Sequence, residues 1–222
     1  MISSSTTNLI ETLSKIPGSD RLICIVIPGK KYYDTVNALT DYILNKKDDF
    51  WVYITITKPF ESFIRRFRNI SAAGNVKYVD CISQAANVAR KDDRCSYVDS
   101  PVMLENIIMK IEEVFKRIPA GYSKHVVIDS LTTLTIYNDK EMVIEFFYQL
   151  VNKTAALQAS IISLVIEEEA PAKFVDRISH INDEVIKIID EVQPVKEKVE
   201  KKEIVRMEDW DREKNFFKEN RI

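Results

Sequence analysis

Glycine is scarce in this chain of 222 residues, which contains only four: Gly18, Gly29, Gly74 and Gly121. A loop that wraps phosphate groups with consecutive backbone N–H groups needs clustered glycines, because other residues adopt the required backbone angles only with strain. No segment has the spacing GxxxxGK[ST] of such a loop. A conventional phosphate-binding loop is therefore excluded.

Cysteine and histidine are also rare, with three and two residues respectively. Cys24, Cys81 and Cys95 are widely spaced and form no CxxC pair, so we expect structural thiols in a reducing compartment. His125 and His180 each lie beside an apolar residue at the edge of a predicted element. These counts argue against a disulfide scaffold and against a metal site of cysteine and histidine.

Neither sign of charge dominates, because 32 basic and 34 acidic residues give a formal net charge of −2 at pH 7. Without an overall basic field, we do not expect nucleic acid as a partner. No apolar run approaches the roughly 18 residues that span a bilayer, and the first 30 residues lack a secretory signal pattern. We therefore expect a cytoplasmic protein with no membrane partner.

The segment KHVVIDSLTTLTIYN, residues 124–138, is the most informative stretch that is present. Val126, Val127 and Ile128 form an apolar run that is typical of a strand covered on both faces. Asp129 and Ser130 end this strand, at the edge where a parallel α/β sheet places its sites. An aspartate there can hold a metal ion or its water, as in P-loop ATPases. It can equally be structural, since Asp followed by Ser turns the chain well.

Apolar strands alternate with amphipathic helices through residue 189, which predicts an α/β domain with a mostly parallel sheet covered on both faces. Closely spaced strands in the second half suggest one antiparallel edge. We expect residues 1–7 to be frayed and residues 85–99 to form a surface loop. The predicted strands are 21–27, 51–57, 76–82, 124–129, 159–166 and 184–189; the predicted helices are 9–16, 32–46, 60–70, 101–118, 139–157 and 170–181.

Composition changes after Asp190, so we divide the chain into a core domain at 1–190 and a charged C-terminal tail at 191–222. The tail holds nine acidic and nine basic residues around a few apolar ones. It is interpreted as a helix lying on the domain or as a segment that binds a partner, because Trp210, Phe216 and Phe217 favour burial.

The order of these elements, with VVIDSLTTL after the long helix and DEVI near the end, resembles the RecA superfamily and within it the KaiC-like ATPases of archaea and bacteria. The resemblance covers residues 10–190. It implies a three-layer RecA-like domain of the P-loop NTPase type, ATP sites shared between neighbouring subunits, and assembly into rings or filaments.

Two segments depart from this family pattern. In IVIPGKKYYDT, Gly29-Lys30 could replace the Gly-Lys pair of the family's phosphate loop. Lys31, however, occupies the position of the Ser or Thr that reaches Mg²⁺, and Cys24 occupies the position of the loop's first glycine. In YITITKPFESF, Thr57 and Lys58 occupy the positions of the adjacent glutamates that orient water. An ionised lysine cannot accept a proton from water. No catalytic residue is therefore assigned.

Gly29, Lys30 and Asp129 are the residues that could form a residual nucleotide site, with Asp129 as the metal ligand. We expect no cofactor, with Mg-ATP as the alternative. Lys30, Lys31 and Lys58 would form a basic mouth at this site, able to attract an anionic ligand or carboxylates of a partner.

Three functions are compatible with this pattern. The first is a non-catalytic pseudo-ATPase that regulates or scaffolds by binding proteins, as a homo-oligomer or beside an active KaiC-like relative. The second is an atypical ATP-binding switch or weak ATPase. The third is a DNA-associated accessory protein, suggested by Arg65, Arg66 and Arg68, which otherwise form a solvated helix face.

Overall fold

A computed structural model describes residues 1–16, 21–119 and 121–189. Within them, eight strands form one sheet with seven α-helices around it. The strands are β1 (Ile2–Ser4), β2 (Leu22–Ile27), β3 (Asp49–Thr55), β4 (Val76–Asp80), β5 (Cys95–Tyr97), β6 (Ser123–Asp129), β7 (Ala159–Ile166) and β8 (Glu184–Ile188). The helices are α1 (Leu9–Lys15), α2 (Tyr32–Leu44), α3 (Phe60–Arg66), α4 (Leu104–Phe115), α5 (Leu131–Tyr137), α6 (Lys140–Ala156) and α7 (Phe174–Ile181).

The strands lie in the order β1-β8-β2-β7-β6-β3-β4-β5, and every neighbouring pair is parallel. Strand β6 is central, with Val126 paired to Val52 of β3 and to Ile161 of β7. The prediction of a mostly parallel sheet is confirmed. The suggestion of an antiparallel edge is wrong for the described strands, because both edge strands, β1 and β5, run parallel to their neighbours.

Helices cover both faces of the sheet, which gives the predicted three-layer α/β architecture. Apolar side chains of α4, α5, α6 and α7 pack in one core with residues such as Val126 and Ile128 of β6. Those of α1, α2 and α3 pack in the other core with Val127 of β6. The period of two along the strand sends neighbouring residues to opposite faces, so a continuous apolar run satisfies both cores.

Two short edge strands were not predicted. Residues 2–4 form β1, which pairs with β8 where we expected a frayed terminus. Residues 95–97 form β5, which pairs with β4 inside the expected surface loop. Three-residue strands are too short to show a period in the sequence, so only their partners in the sheet determine them.

Helix boundaries also differ from the predictions. Helix α3 ends at Arg66 and α4 begins at Leu104, several residues inside the predicted limits. The Thr-rich segment after Asp129 forms α5. Ser130 caps this helix, because its hydroxyl accepts a hydrogen bond from the N–H of Thr133 at 3.2 Å.

The predicted helical tail at 191–222 lies outside the described residues. Within the residues that are described, no helix is long and apolar enough to cross a bilayer.

Cys24 and Cys81 are fully buried in the sheet layers, in keeping with their interpretation as structural thiols. Burial raises the pKa of Cys24 to about 12.

Candidate functional site

Asp129 lies at the carboxyl end of the central strand β6, where the sequence predicts the site. Its side chain is buried, with 1% of the residue exposed. The peptide bond that joins it to Ser130 is cis. A buried carboxylate is costly unless hydrogen-bond donors surround it, so its partners determine what this position can do.

Hydroxyl groups occupy both oxygens of the Asp129 carboxylate. The Tyr32 hydroxyl lies 3.0 Å from Oδ1 and 2.8 Å from Oδ2. The Tyr53 hydroxyl donates to Oδ2 at 2.9 Å, and the Thr57 hydroxyl donates to Oδ1 at 3.3 Å. Tyr32 is itself buried, with 6% exposed, and Tyr53 is fully buried. Protein hydroxyls therefore contact the carboxylate where a metal ion or its water would bind in an active site.

The chain delivers Tyr32 to this position through a very short connection. Strand β2 ends at Ile27, and a single 3₁₀ turn at Gly29–Lys31 leads directly into α2, whose first residue is Tyr32. Tyr53 comes from β3, which is paired with β6 in register. Because no longer loop separates β2 from α2, the first side chain of the helix reaches the end of β6.

Burial raises the pKa of Asp129 to about 6, against the hydrogen bonds from Tyr32, Tyr53 and Thr57 and the positive charge of Lys58, which lower it. Burial, together with the negative charge of Asp129, also raises the pKa of Tyr32 and of Tyr53. Both tyrosines therefore remain protonated donors. The carboxyl group can change its own protonation near pH 6.

The turn at Gly29–Lys31 binds a carboxylate of the protein itself. The backbone N–H of Gly29 donates to Oε2 of Glu168 at 2.7 Å. Glu168 belongs to a 3₁₀ turn, Glu167–Glu169, that follows β7. Oε1 of the neighbouring Glu167 lies 2.6 Å from Nζ of Lys187. Acidic side chains thus line the place where a phosphate-binding turn would present N–H groups to a phosphate.

Gly29 needs none of the freedom that glycine supplies in a phosphate loop. Its φ lies outside the left-handed region, and an added Cβ would lie 3.6 Å from Glu168 Oε2 and 3.8 Å from Ile166 Cγ2, which are ordinary contacts. Lys30, the other predicted residue of this turn, is exposed.

We expect Gly29→Ala to leave the protein as stable as the wild type or to raise its free energy of unfolding by about 0.4–1 kcal/mol, because alanine restricts the unfolded chain. Urea unfolding followed by circular dichroism measures the change. A loss above roughly 2 kcal/mol would mean that the turn needs glycine, as a phosphate cradle does.

The predicted substitutes for the catalytic glutamates lie beside Asp129. The Thr57 hydroxyl also shares a hydrogen bond of 3.0 Å with the Thr133 hydroxyl, so this side chain is part of the buried network. Nζ of Lys58 lies 5.5 Å from the centre of the Tyr33 ring, and Cζ of Arg66 lies 4.4 Å from it. Cations therefore stand over an exposed tyrosine at the mouth of this site. Arg65, Arg66 and Arg68 are all exposed.

A second buried carboxylate, Asp80, ends β4 and is wholly structural in its contacts. Its Oδ1 accepts from the N–H groups of Ile82 and Ser83 at 2.8 and 2.9 Å. Its Oδ2 accepts from the N–H of Phe60 at 2.6 Å and from the Ser83 hydroxyl at 2.5 Å. The aspartate thus joins the start of α3 to the loop that follows β4.

The sequence alone did not identify Tyr32, Tyr53, Asp80 or Glu168 as parts of this edge. Asp80 had a signal, since it ends an apolar strand just as Asp129 does. Tyr32 had a weaker one, because an aromatic residue begins the helix at the end of the GKK turn. Across the described residues, no group of three or more His, Cys, Asp and Glu side chains is arranged to hold a metal ion.

Several solved structures of archaeal proteins have similar folds. The uncharacterized protein PH0321 from Pyrococcus horikoshii, in complex with an unknown peptide, matches with a TM-score of 0.63 and 13% identity over 82% of this chain and 83% of its own. A second P. horikoshii protein, PH0250, has a TM-score of 0.55 and 13% identity over 82% and 88% of the two chains. The flagellar accessory protein FlaH from Methanocaldococcus jannaschii has a TM-score of 0.53 and 16% identity over 84% and 78%.

At these identities the structural matches establish the fold, which is RecA-like. No curated protein sequence matches the chain significantly. A family model described as "ATPase: KaiC" matches residues 44–217. The matched span begins at the end of α2, after the Gly29–Lys31 turn, and it includes β6 with Asp129. Since the match covers well over half of the sequence, the chain belongs to the KaiC ATPase family.

Proposed function

We propose that this member of the KaiC family is a non-catalytic protein that acts through binding other proteins, as a regulator or scaffold. The observation that carries the proposal is the occupation of both Asp129 oxygens by the hydroxyls of Tyr32, Tyr53 and Thr57. This arrangement does not fit a Mg-nucleotide, because a cation would have to displace a buried tyrosine from the carboxylate.

The neighbouring turn supports the same proposal. The N–H of Gly29 already donates to Glu168, and the carboxylate charge of that residue repels a phosphate. Thr57 and Lys58 replace the glutamates that would orient water in active relatives. A relative of similar fold was crystallised with a peptide, which is consistent with protein binding as the function of this one.

Thermal unfolding in the presence of nucleotide tests the proposal. A ligand at 100 times its Kd stabilises a fold by about 2.7 kcal/mol, which raises Tm by roughly 5–10 °C for a domain of this size. We expect no shift in Tm with Mg-ATP or Mg-ADP at about 1 mM. We also expect no heat of binding when either nucleotide is titrated into the protein in a calorimeter.

Two variants show how a rise in Tm with Mg-ATP would have to be interpreted. If Mg-ATP raises Tm and both Lys30→Ala and Asp129→Ala abolish the shift, the protein is an ATP-binding switch and the proposal is wrong. A DNA-associated role would instead require binding that falls steeply with salt concentration. Loss of that binding on substitution of Arg65, Arg66 and Arg68 would then locate it on α3.

A further inference from the structure

A groove of about 360 Å³ lies between α4 and α6, among residues that take no part in the Asp129 network. Leu104 of α4 and Phe146 of α6 form its floor and are 9% and 3% exposed. Val102, Met103 and Met142 line its sides and are 51%, 42% and 52% exposed. Three large apolar side chains around an apolar floor form a surface that is more favourable when covered.

The walls of this groove are fixed by contacts at both ends. Oε1 of Glu112 and Nζ of Lys153 lie 3.2 Å apart and link α4 to α6 beyond the groove. At the other end, the side-chain amide of Asn138 donates to the carbonyl of Pro101 at 3.1 Å, which holds the segment before α4 against the end of α5. These contacts hold the two helices in place, which lowers the entropic cost of binding a partner in the groove.

The rim of the groove is acidic. Glu105 and Glu145 line it, and none of its described lining residues is basic. Oε1 of Glu145 accepts a long hydrogen bond, 3.5 Å, from the side-chain amide of Gln149. Among the described residues, neither glutamate forms an ion pair. The charge complement of this rim is lysine or arginine on either side of an apolar stripe.

These features fit a helix of a partner protein better than a small polar ligand. Methionine side chains adapt to varied apolar surfaces, and an amphipathic helix presents apolar residues at spacings of three and four along a groove between helices. A volume of about 360 Å³ accepts two or three such side chains.

We propose that the groove between α4 and α6 binds an amphipathic helix with basic flanks from a partner protein, through Met103 and Met142 on its sides and Glu105 and Glu145 on its rim. This inference rests on the proposed function, because it names the surface through which a non-catalytic family member would bind a protein.

Fluorescence anisotropy with a labelled Leu-Lys model helix, whose leucines occupy one face, tests the groove in the full chain. We expect Met142→Lys to weaken binding at least 10-fold, because it places a charge in the apolar wall. Met109→Lys is the matched control, since Met109 is a methionine of α4 that is 56% exposed and does not line the groove. It should change the affinity less than 2-fold.

Charge is tested separately from apolar contact. The double variant Glu105→Lys/Glu145→Lys should bind the Leu-Lys helix about 10-fold more weakly and show a smaller dependence on salt. A Leu-Glu helix of the same pattern should not bind the wild type. Absence of Leu-Lys binding, equal weakening by Met109→Lys, or equal binding of the Leu-Glu helix would each overturn the proposal.

The outcomes also separate the groove from the proposed function. If the peptide fails to bind and sedimentation shows a wild-type oligomer that Met142→Lys dissociates, the groove is an interface between copies and the helix proposal is wrong. If neither the peptide nor a nucleotide binds, only the groove proposal is refuted. Nucleotide binding together with groove-dependent peptide binding refutes only the non-catalytic function.

Discussion

Asp80→Asn is expected to lower the free energy of unfolding by about 3 kcal/mol, because it leaves a buried N–H group unpaired and removes charge-assisted hydrogen bonds. Every group that contacts Asp80 through its oxygens is a donor in the wild type, and three of the four are backbone N–H groups. The amide nitrogen of asparagine would face at least one of these donors. No rotation of the side chain removes the conflict.

Urea unfolding gives the free energy, and Tm should fall by roughly 6–12 °C for a domain of this size. Asp34→Asn is the control, since Asp34 is exposed in the first turn of α2 and should contribute a few tenths of a kcal/mol. Ser83→Ala, which removes the hydroxyl that donates to Asp80, should cost about 1–2 kcal/mol and keeps the test informative if Asp80→Asn does not fold. A change below about 0.5 kcal/mol in Asp80→Asn would mean that the contacts of Asp80 do not restrain α3.

Asp129→Asn is expected to have an effect on stability that depends on pH, although Asp129 is as deeply buried as Asp80. Burial raises the pKa of Asp129 to about 6 in the folded protein, whereas an aspartate in an unfolded chain titrates near 3.9. Between these values the folded state binds a proton that the unfolded state does not. The stability that the protonated carboxyl contributes is therefore present at low pH and lost as pH rises through about 6.

Asparagine has nearly the same shape and does not titrate, so it removes this dependence. From pH 4.5 to pH 8, the stability of the wild type relative to Asp129→Asn should fall by about 2 kcal/mol. Tyrosine hydroxyls can accept as well as donate, so Tyr32 and Tyr53 retain partners in the variant. Urea unfolding of both proteins across this pH range measures the difference.

Tyr32→Phe provides the complementary test. It removes a donor that stabilises the ionised carboxylate, so its cost should be about 1.5–3 kcal/mol at pH 8 and smaller at pH 4.5. The stability of the wild type relative to Asp129→Asn would contradict this expectation if it were independent of pH or increased as pH rises. Either result would mean that burial does not raise the pKa of Asp129 to about 6.

The fold was largely predictable because its central strands carry long apolar runs. The apolar run of β6 places Val126 and Ile128 in one core and Val127 in the other. A parallel sheet covered by helices on both faces provides these two cores. The edge strands β1 and β5 were missed because three residues carry too little pattern. Their formation depends on neighbouring strands that lie far away in the sequence.

The candidate site was predictable only in part. The position of Asp129 at the end of a buried strand follows from local sequence, and so does the shortness of the Gly29–Lys31 turn. The partners of the carboxylate do not, because Tyr32 and Tyr53 are 97 and 76 residues away along the chain. The spacing of apolar residues along a strand or helix indicates that a tyrosine is buried. It does not indicate which buried carboxylate accepts a hydrogen bond from the tyrosine hydroxyl.

The hydroxyl of Tyr32 has a further consequence for how this protein could respond to its surroundings. A nucleotide occupies its site in proportion to its concentration, whereas a side chain that is part of the same molecule has a fixed, high effective concentration. On the proposed function, the end of β6 is therefore saturated under all metabolic conditions. A cell that depletes its ATP would change the state of active relatives and leave this protein as it was, so its output would follow its abundance and that of its partners alone.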